Sequence, residues 1–193
     1  LGPLGGTSTS VNLESKGGNI TLRGRTSSTV DVPGIGSGSN FRIDSGTGTI
    51  LMDGYAANGH GMELAYGVVA NYVITSASES ASAISIIGTT ERVGFGGALL
   101  ALRDGAYLIQ STASTGGGIQ ITGDNKAASG TTLYLSSGAG VSYLLSRNGP
   151  INLTATGGSL GLTNNSLARL GAHSAVTINT VTSSVSTSSS NIN

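Results

Sequence analysis

The chain lacks cysteine and tryptophan altogether, and its 193 residues include only three prolines and eight phenylalanines and tyrosines. Without cysteine it can form neither a disulfide framework nor a thiolate metal site. Hydrophobic runs are also short, since none approaches the roughly 20 residues that a transmembrane helix needs. The sequence has neither an initiating methionine nor a signal peptide, so we expect a mature product or an excised piece.

Charged residues are scarce and balanced, with nine lysines and arginines against nine aspartates and glutamates. Binding to nucleic acid or to anionic lipid requires clustered positive charge that displaces counterions. We therefore predict no nucleic-acid partner. The short hydrophobic runs likewise predict no membrane span.

Small residues dominate what is present. Glycine (32), serine (29) and threonine (22) make up 83 of the 193 positions, while 37% of the residues are hydrophobic. Disordered chains combine low hydrophobicity with high net charge, and the net charge here is zero. Glycine, serine and threonine recur every few residues, which leaves no window long enough for an amphipathic helix. The composition predicts an all-β protein whose core contains few large side chains.

A short alternating strand recurs at intervals of 25 to 35 residues. Its copies are 20–24 (ITLRG), 50–54 (ILMDG), 84–88 (ISIIG), 119–123 (IQITG), 151–154 (INLT) and 176–179 (VTIN). A second strand follows in most units, at 30–32, 62–64, 100–102, 133–135 and 160–162. A third is predicted at 41–43, 72–74, 107–109, 143–145 and 167–170. A repeat of this length indicates one structural unit per period.

Three strands per unit predict an all-β, right-handed parallel β-helix (solenoid) of about six coils, with the hand taken from the crossover rule. We place the β-helix at 19–180. Residues 1–18 are interpreted as an incomplete first coil or a tag remnant, and 181–193 as a Ser/Thr-rich terminal segment.

Stacking in register predicts inward columns of like residues. On the first predicted face these columns are Ile20/Ile50/Ile84/Ile119/Ile151/Val176 and Leu22/Met52/Ile86/Ile121/Leu153/Ile178. On the third face we predict a core ladder of aromatic rings, formed by Phe41, Tyr72, Tyr107 and Tyr143. Each apolar side chain would then be covered by its like above and below, so few large residues fill the core.

One outward column of the third face is apolar and consists of Val73, Leu108 and Leu144. An exposed apolar row is typical of an interaction face. Two alternatives remain open from the sequence: a corner loop covers the row, or the in/out assignment is shifted there by one residue.

Residues suited to catalysis or metal binding are few. His60 and His173 are interpreted as surface loop residues. The G-x-S-x-G match around Ser159 lacks the helix and the following acid that a nucleophile elbow needs, so Ser159 is predicted to be a corner residue. Asp31 and Glu63 form the one acidic pair in an outward column, and it would suit either a cation or, more simply, two solvated charges. We predict no cofactor, no metal and no catalytic residue.

Three N-x-S/T sequons mark Asn19, Asn152 and Asn164 as candidate glycosylation sites. The alternative is a chance match, because sequons arise readily in a chain rich in Asn and Thr.

Residues 17–24 (GGNITLRG), 118–123 (GIQITG) and 149–154 (GPINLT) resemble the repeats of filamentous haemagglutinin-like adhesins. These are bacterial exoproteins exported by two-partner secretion, and the resemblance covers roughly residues 11–180. It implies a β-helical shaft region and a secreted or cell-surface location, and it carries over no catalytic residue.

The function that we expect is a structural or adhesive segment of a bacterial surface or secreted fibre, without catalysis. Its partners would be adjacent repeats or other copies, met through the ends of the β-helix, and a glycan or protein of a host or neighbouring cell. Two alternatives are a filament subunit that stacks end to end and a polysaccharide lyase or hydrolase on the same fold.

Overall fold

The computed structural model of the protein describes residues 10–64, 71–100, 106–135, 142–163, 168–172, 176–180, 185–188 and 191–192. These ranges contain 19 β-strands and no helix. It follows that none of the described residues belongs to a helix able to cross a membrane.

In chain order the strands are β1 (Val11–Glu14), β2 (Ile20–Thr26), β3 (Ile35–Ser37), β4 (Phe41–Asp44), β5 (Ile50–Ala56), β6 (Met62–Leu64), β7 (Asn71–Ser76), β8 (Ile84–Thr90), β9 (Ala98–Leu100), β10 (Ala106–Ser111), β11 (Ile119–Asn125), β12 (Thr131–Leu135), β13 (Ser142–Ser146), β14 (Ile151–Thr156), β15 (Ser159–Thr163), β16 (Ala168–Ala172), β17 (Val176–Thr180), β18 (Val185–Ser188) and β19 (Asn191–Ile192).

Each of three sheets takes every third strand. The first sheet begins with β1, the second with β2 and the third with β3, and they contain seven, six and six described strands. Neighbouring strands are parallel throughout. One coil comprises three consecutive strands, so β1 to β3 form coil 1, β4 to β6 form coil 2, and so on. The predicted class, a parallel β-helix with three strands per coil, is confirmed.

The register of the second sheet matches both predicted inward columns. Ile20, Ile50, Ile84, Ile119, Ile151 and Val176 are paired along one column, and Leu22, Met52, Ile86, Ile121, Leu153 and Ile178 along the other. In coils 2 to 5 these side chains are at most 1% exposed. Burying one such side chain contributes about 1.5–3 kcal/mol relative to leaving it in water.

The first sheet corresponds to the third predicted face and contains the aromatic ladder. Only three of the four predicted residues belong to this ladder. The Phe41 and Tyr72 ring centroids are 5.1 Å apart and those of Tyr72 and Tyr107 are 5.9 Å apart, in stacked geometry. Tyr143 is not in this ladder, because it is paired with Leu108 on the outer face. Ser142 is buried instead, and its hydroxyl accepts a hydrogen bond from the Tyr107 amide at 3.1 Å.

The one-residue shift in β13 has a physical cause at the end of the strand. Ser146 is paired with Ser111, and both side chains are buried. The predicted register would have turned Ser146 outward and the neighbouring Arg147 into the interior. Since an unpaired buried charge costs far more than a lost ring stack, the strand aligns its serine and Leu144 becomes the inward residue.

One predicted strand of the third sheet is also displaced. Residues 30–32 are not a strand, and Val30 is 62% exposed. The strand of coil 1 is β3, which is paired with β6. In coil 3 the structure describes β9, which ends at Leu100, and residues 101–102 of the predicted strand lie outside the described residues.

Glycines decide where the third sheet begins. Gly34, Gly61 and Gly97 directly precede β3, β6 and β9, and they face the glycines near the ends of β2, β5 and β8. A Cβ atom on Gly88 would overlap the carbonyl of Gly97, and one on Gly97 would overlap the backbone of Asp124 in the next coil. We call this close approach the glycine waist; its members are Gly24, Gly34, Gly54, Gly61, Gly88, Gly97 and Gly123.

The corner between the first and second sheets has a buried polar column. It consists of Ser45, Ser76, Ser111 and Ser146, each at most 4% exposed. The Ser45 and Ser76 hydroxyls both donate to the Gly48 carbonyl, at 2.6 and 2.8 Å. The Ser146 hydroxyl donates to the Gly117 carbonyl at 3.1 Å. Ser45, Ser76 and Ser146 thus satisfy turn carbonyls that would otherwise be buried without a donor.

Substitution of Gly88 by alanine tests the waist. We expect the free energy of unfolding to fall by about 2–3 kcal/mol or more, because overpacking typically costs about 1–3 kcal/mol and the obstructing atom is a backbone carbonyl. Ser85→Ala, on the outer face of the same strand, is the matched control and should change it by less than about 0.5 kcal/mol. Urea unfolding followed by circular dichroism measures both; equal midpoints for the two variants would contradict the close approach.

Candidate functional site

The first sheet carries an apolar row on its outer face, although not with the predicted membership. Val73 is paired with Leu108, and Leu108 with Tyr143, and all three are half-buried outward residues. Leu144, predicted to lie in this row, is fully buried. The outer row is therefore Val73, Leu108 and Tyr143, and the alternative of a shift by one residue is the correct one at β13.

A polar pair lies next to the outer row. Arg42 is paired with Val73 in register, and its guanidinium donates to the Asp44 carboxylate at 2.8 Å. A hydrogen bond from the Gly46 amide, at 3.0 Å, is the main cause that lowers the pKa of Asp44; burial opposes it, and Arg42 lowers it further. The Arg42–Asp44 ion pair therefore flanks the outer row on the side towards coil 1.

A second candidate surface is formed by the corner loops that connect the second and third sheets. These are loops 27–34, 57–61, 91–97 and 126–130 in coils 1 to 4. In the described part of the chain, the exposed large hydrophobic side chains all belong to them: Val30, Val32 and Val93.

Inward polar side chains at the strand ends tie these loops to one another. Buried Thr90 donates to the Gly59 carbonyl of the preceding coil at 2.7 Å. Buried Asn125 donates to the Phe95 carbonyl, at 2.7 Å, and to the Arg92 carbonyl, at 3.2 Å. Loops 57–61 and 91–97 are thereby held by the following coil as well as by their own strands.

His60 lies at the centre of the corner loops. Its Nδ1 accepts a hydrogen bond from the Gly96 amide at 2.9 Å, and its ring lies 4.8 Å from the Phe95 ring. The Arg92 guanidinium lies over the same Phe95 ring at 4.3 Å. Burial lowers the pKa of His60, and the charge of Asp31 partly opposes this. We call His60, Asp31, Arg92 and Phe95 the corner cluster.

Charged and aromatic side chains border the corner on the outer face of the second sheet. Arg25 lies 5.6 Å from the Tyr55 ring centroid and 3.5 Å from the Asp53 carboxylate. A hydrogen bond to Glu91 is the main cause that raises the pKa of Tyr55. A hydrogen bond to Asp124 likewise raises the pKa of Lys126.

The predicted acidic pair is not brought together. Asp31 lies in an exposed loop near His60, whereas Glu63 lies in β6, paired with Gly36 and Leu99 and only 4% exposed. The cause is the displaced strand of coil 1, which puts Gly36 where Asp31 was predicted. Over the residues that the structure describes, no group of three His, Cys, Asp or Glu side chains could hold a metal ion.

The structure describes two of the three sequon asparagines and the serine of the G-x-S-x-G match. Asn19 uses its Oδ1 to accept a hydrogen bond from the Thr49 amide at 2.9 Å. Asn152 is an outward residue of β14, paired with Gln120. Ser159 is the first residue of β15. Asn164 and His173 lie outside the described residues.

The corner cluster could not be identified from the sequence, from which His60 is interpreted as a surface loop residue. A weak signal was present: His60 lies between Gly59 and Gly61, and Phe95 between Gly94 and Gly96. Two rings flanked by glycines in successive corner loops can approach each other. Neither spacing nor charge indicates that contact.

Comparisons with protein-family models, with curated proteins and with solved structures found no match for this chain. The two candidate surfaces are therefore identified from their geometry alone.

The register of β13 can be tested with one pair of variants. Leu144→Ala should lower the free energy of unfolding by about 2–5 kcal/mol, the usual cost of truncating a buried leucine. Tyr143→Ala should cost less than about 1 kcal/mol, because it removes an outward side chain. Thermal and urea unfolding give both values. A larger loss of unfolding free energy for Tyr143→Ala than for Leu144→Ala would instead support the predicted register, in which Tyr143 points inward.

Proposed function

We propose that this protein is a structural and adhesive β-helical segment of a secreted or surface-exposed bacterial fibre, acting through contact rather than catalysis. The observation that supports this most directly is the outer row on the first sheet. Val73, Leu108 and Tyr143 come from three consecutive coils, so strand pairing spaces them about 4.8 Å apart along the coil axis.

The environment of the outer row suits contact with another molecule. Its members are fixed to a sheet whose inner face is packed, so little conformational entropy is lost when a partner binds. Apolar side chains aligned on a rigid surface are typical of contact sites. The bacterial, secreted character of the proposal comes from the resemblance of the G-N-I-T-L-type repeats to adhesin shafts.

Bead adhesion tests the proposal. Latex beads coated with the chain are applied to a printed glycan array and to cultured epithelial cells, and retained beads are counted. We expect Val73→Thr/Leu108→Thr to lose about tenfold in binding, as removal of about 1.4 kcal/mol of apolar contact predicts. Leu51→Thr makes the same kind of change on the outer face of the second sheet and is the matched control.

The outcomes of the bead experiment separate the classes of function. Retention of Leu51→Thr beads with loss of the double variant supports contact through the outer row. Absence of binding by wild-type beads, or equal loss in both variants, contradicts it. Release of reducing ends from polysaccharides incubated with the chain would instead assign it to the sugar-cleaving class.

A second candidate function is end-to-end stacking of copies. It is favoured by the incomplete burial of the inward residues of coil 1. Its inward residues Val11, Leu13, Ile20 and Leu22 are only partly buried, whereas the equivalent side chains of coil 2 are at most 3% exposed. Among the described residues, no strand is paired with the outer edges of β1, β2 or β3. A cleft of about 380 Å³ at this edge is lined by residues 21–24 and 34–36. Open parallel edges of this kind pair readily with further strands.

Light scattering over a concentration series tests the stacking. We expect the mean mass to rise with concentration for the wild-type chain and to stay at one copy for Leu22→Lys, which places a charge on the open edge. Arg23→Lys, one residue away on the outer face, is the control and should behave as wild type. A constant monomer mass in the wild-type chain would contradict the second candidate and leave the adhesive proposal unaffected.

A further inference from the structure

The corner cluster contains a hydrogen bond that one ionisation state alone can form. The Gly96 amide donates to His60 Nδ1 at 2.9 Å, so this nitrogen must carry a lone pair. An imidazolium has a proton on both nitrogens and cannot accept. Gly96 is buried, so protonation would leave its amide without this acceptor in a place that water reaches poorly.

Charged residues on the surrounding loops act on His60 in opposite directions. Loop 91–97 presents Arg92, whose guanidinium shares the Phe95 ring with His60, so a charged imidazole would meet a like charge there. Loop 27–34 presents Asp31, which is exposed and favours the charged form. Glu91 is engaged with Tyr55, and loop 57–61 has no other ionisable residue.

We infer that His60 is a pH-sensitive latch: its neutral ring holds loop 91–97 of coil 3 against loop 57–61 of coil 2, and protonation loosens loop 91–97. Backbone hydrogen bonds elsewhere at the same corner do not titrate. The Gly34 amide still donates to the His60 carbonyl, and the Gly61 amide to the Gly96 carbonyl. Acidification therefore acts on the loop and leaves the strands paired.

The direction of the pH dependence follows from the burial of the ring. Burial lowers the pKa of His60 from its ordinary value of 6.5, so the closed loop binds fewer protons than the open loop at mildly acidic pH. The latch is therefore strongest above pH 6.5 and weakens as the pH falls through the lowered pKa. Loosening would uncover Phe95 beside the exposed Val93 and enlarge the apolar surface of the corner.

Limited trypsin digestion measures the latch, because the Arg92–Val93 bond lies inside loop 91–97. Cleavage there is quantified by mass spectrometry from pH 7.5 to pH 5, relative to cleavage at Arg147–Asn148 in the exposed loop after β13. This ratio cancels the pH dependence of trypsin itself. We expect the ratio to rise roughly fivefold or more on acidification, the factor that follows from leaving one buried amide without its acceptor.

His60→Asn is the matched variant, since its Oδ1 can accept from the Gly96 amide at every pH. Its cleavage ratio should stay constant over the same range. An unchanged ratio in the wild-type chain, or an equal rise in His60→Asn, would overturn the inference. If His60→Asn does not fold, the His60 ring is titrated by NMR in the wild-type chain, and a cleavage midpoint that differs from the ring's midpoint overturns it instead.

Discussion

The close approach of two backbones at the glycine waist is the constraint on which the rest of the coil depends. At the corner between the second and third sheets, strands of the same coil such as β8 and β9 approach so closely that no Cβ atom fits between them. In coils 1 to 3 the chain therefore turns where two glycines face each other. Because the waist fixes the start of every third-sheet strand it borders, it also fixes which residues of β3, β6 and β9 point inward. The apolar columns then fill the wider part of the cross-section.

The composition of the chain follows from this geometry together with the rule that buried backbone groups need partners. Each turn exposes carbonyls to the interior, and small hydroxyl or amide side chains satisfy them without occupying much volume. Ser45 and Ser76 do this at the corner between the first and second sheets, and Thr90 and Asn125 at the corner between the second and third sheets. Among the described residues, eight serines and two threonines are buried. Large side chains are few because the polar columns share the interior with them.

The second sheet could be predicted almost completely, because its apolar positions alternate strictly and four of its six strands have a glycine at the same place. The third sheet could not be predicted in coil 1, since Val30 and Val32 alternate as a strand does and only the three-dimensional position of Gly34 excludes them. The register of β13 depends on Ser146 aligning with Ser111, an interaction between coils that no local pattern reveals. The corner cluster was missed for a similar reason, because its residues meet only after two loops have stacked.

The two candidate surfaces depend on the coil in different ways, and this difference bears on what each can do. The outer row uses strand positions, so the register that fills the core also determines its members; the same shift that buries Leu144 turns the Tyr143 ring outward. A row with that spacing presents one side chain from each of three consecutive coils along a line. The corner cluster uses loop positions, where side-chain hydrogen bonds rather than strand pairing hold the geometry. Since one side-chain hydrogen bond is far easier to break than a ladder of strands, the corner can respond to solution conditions while the row stays fixed.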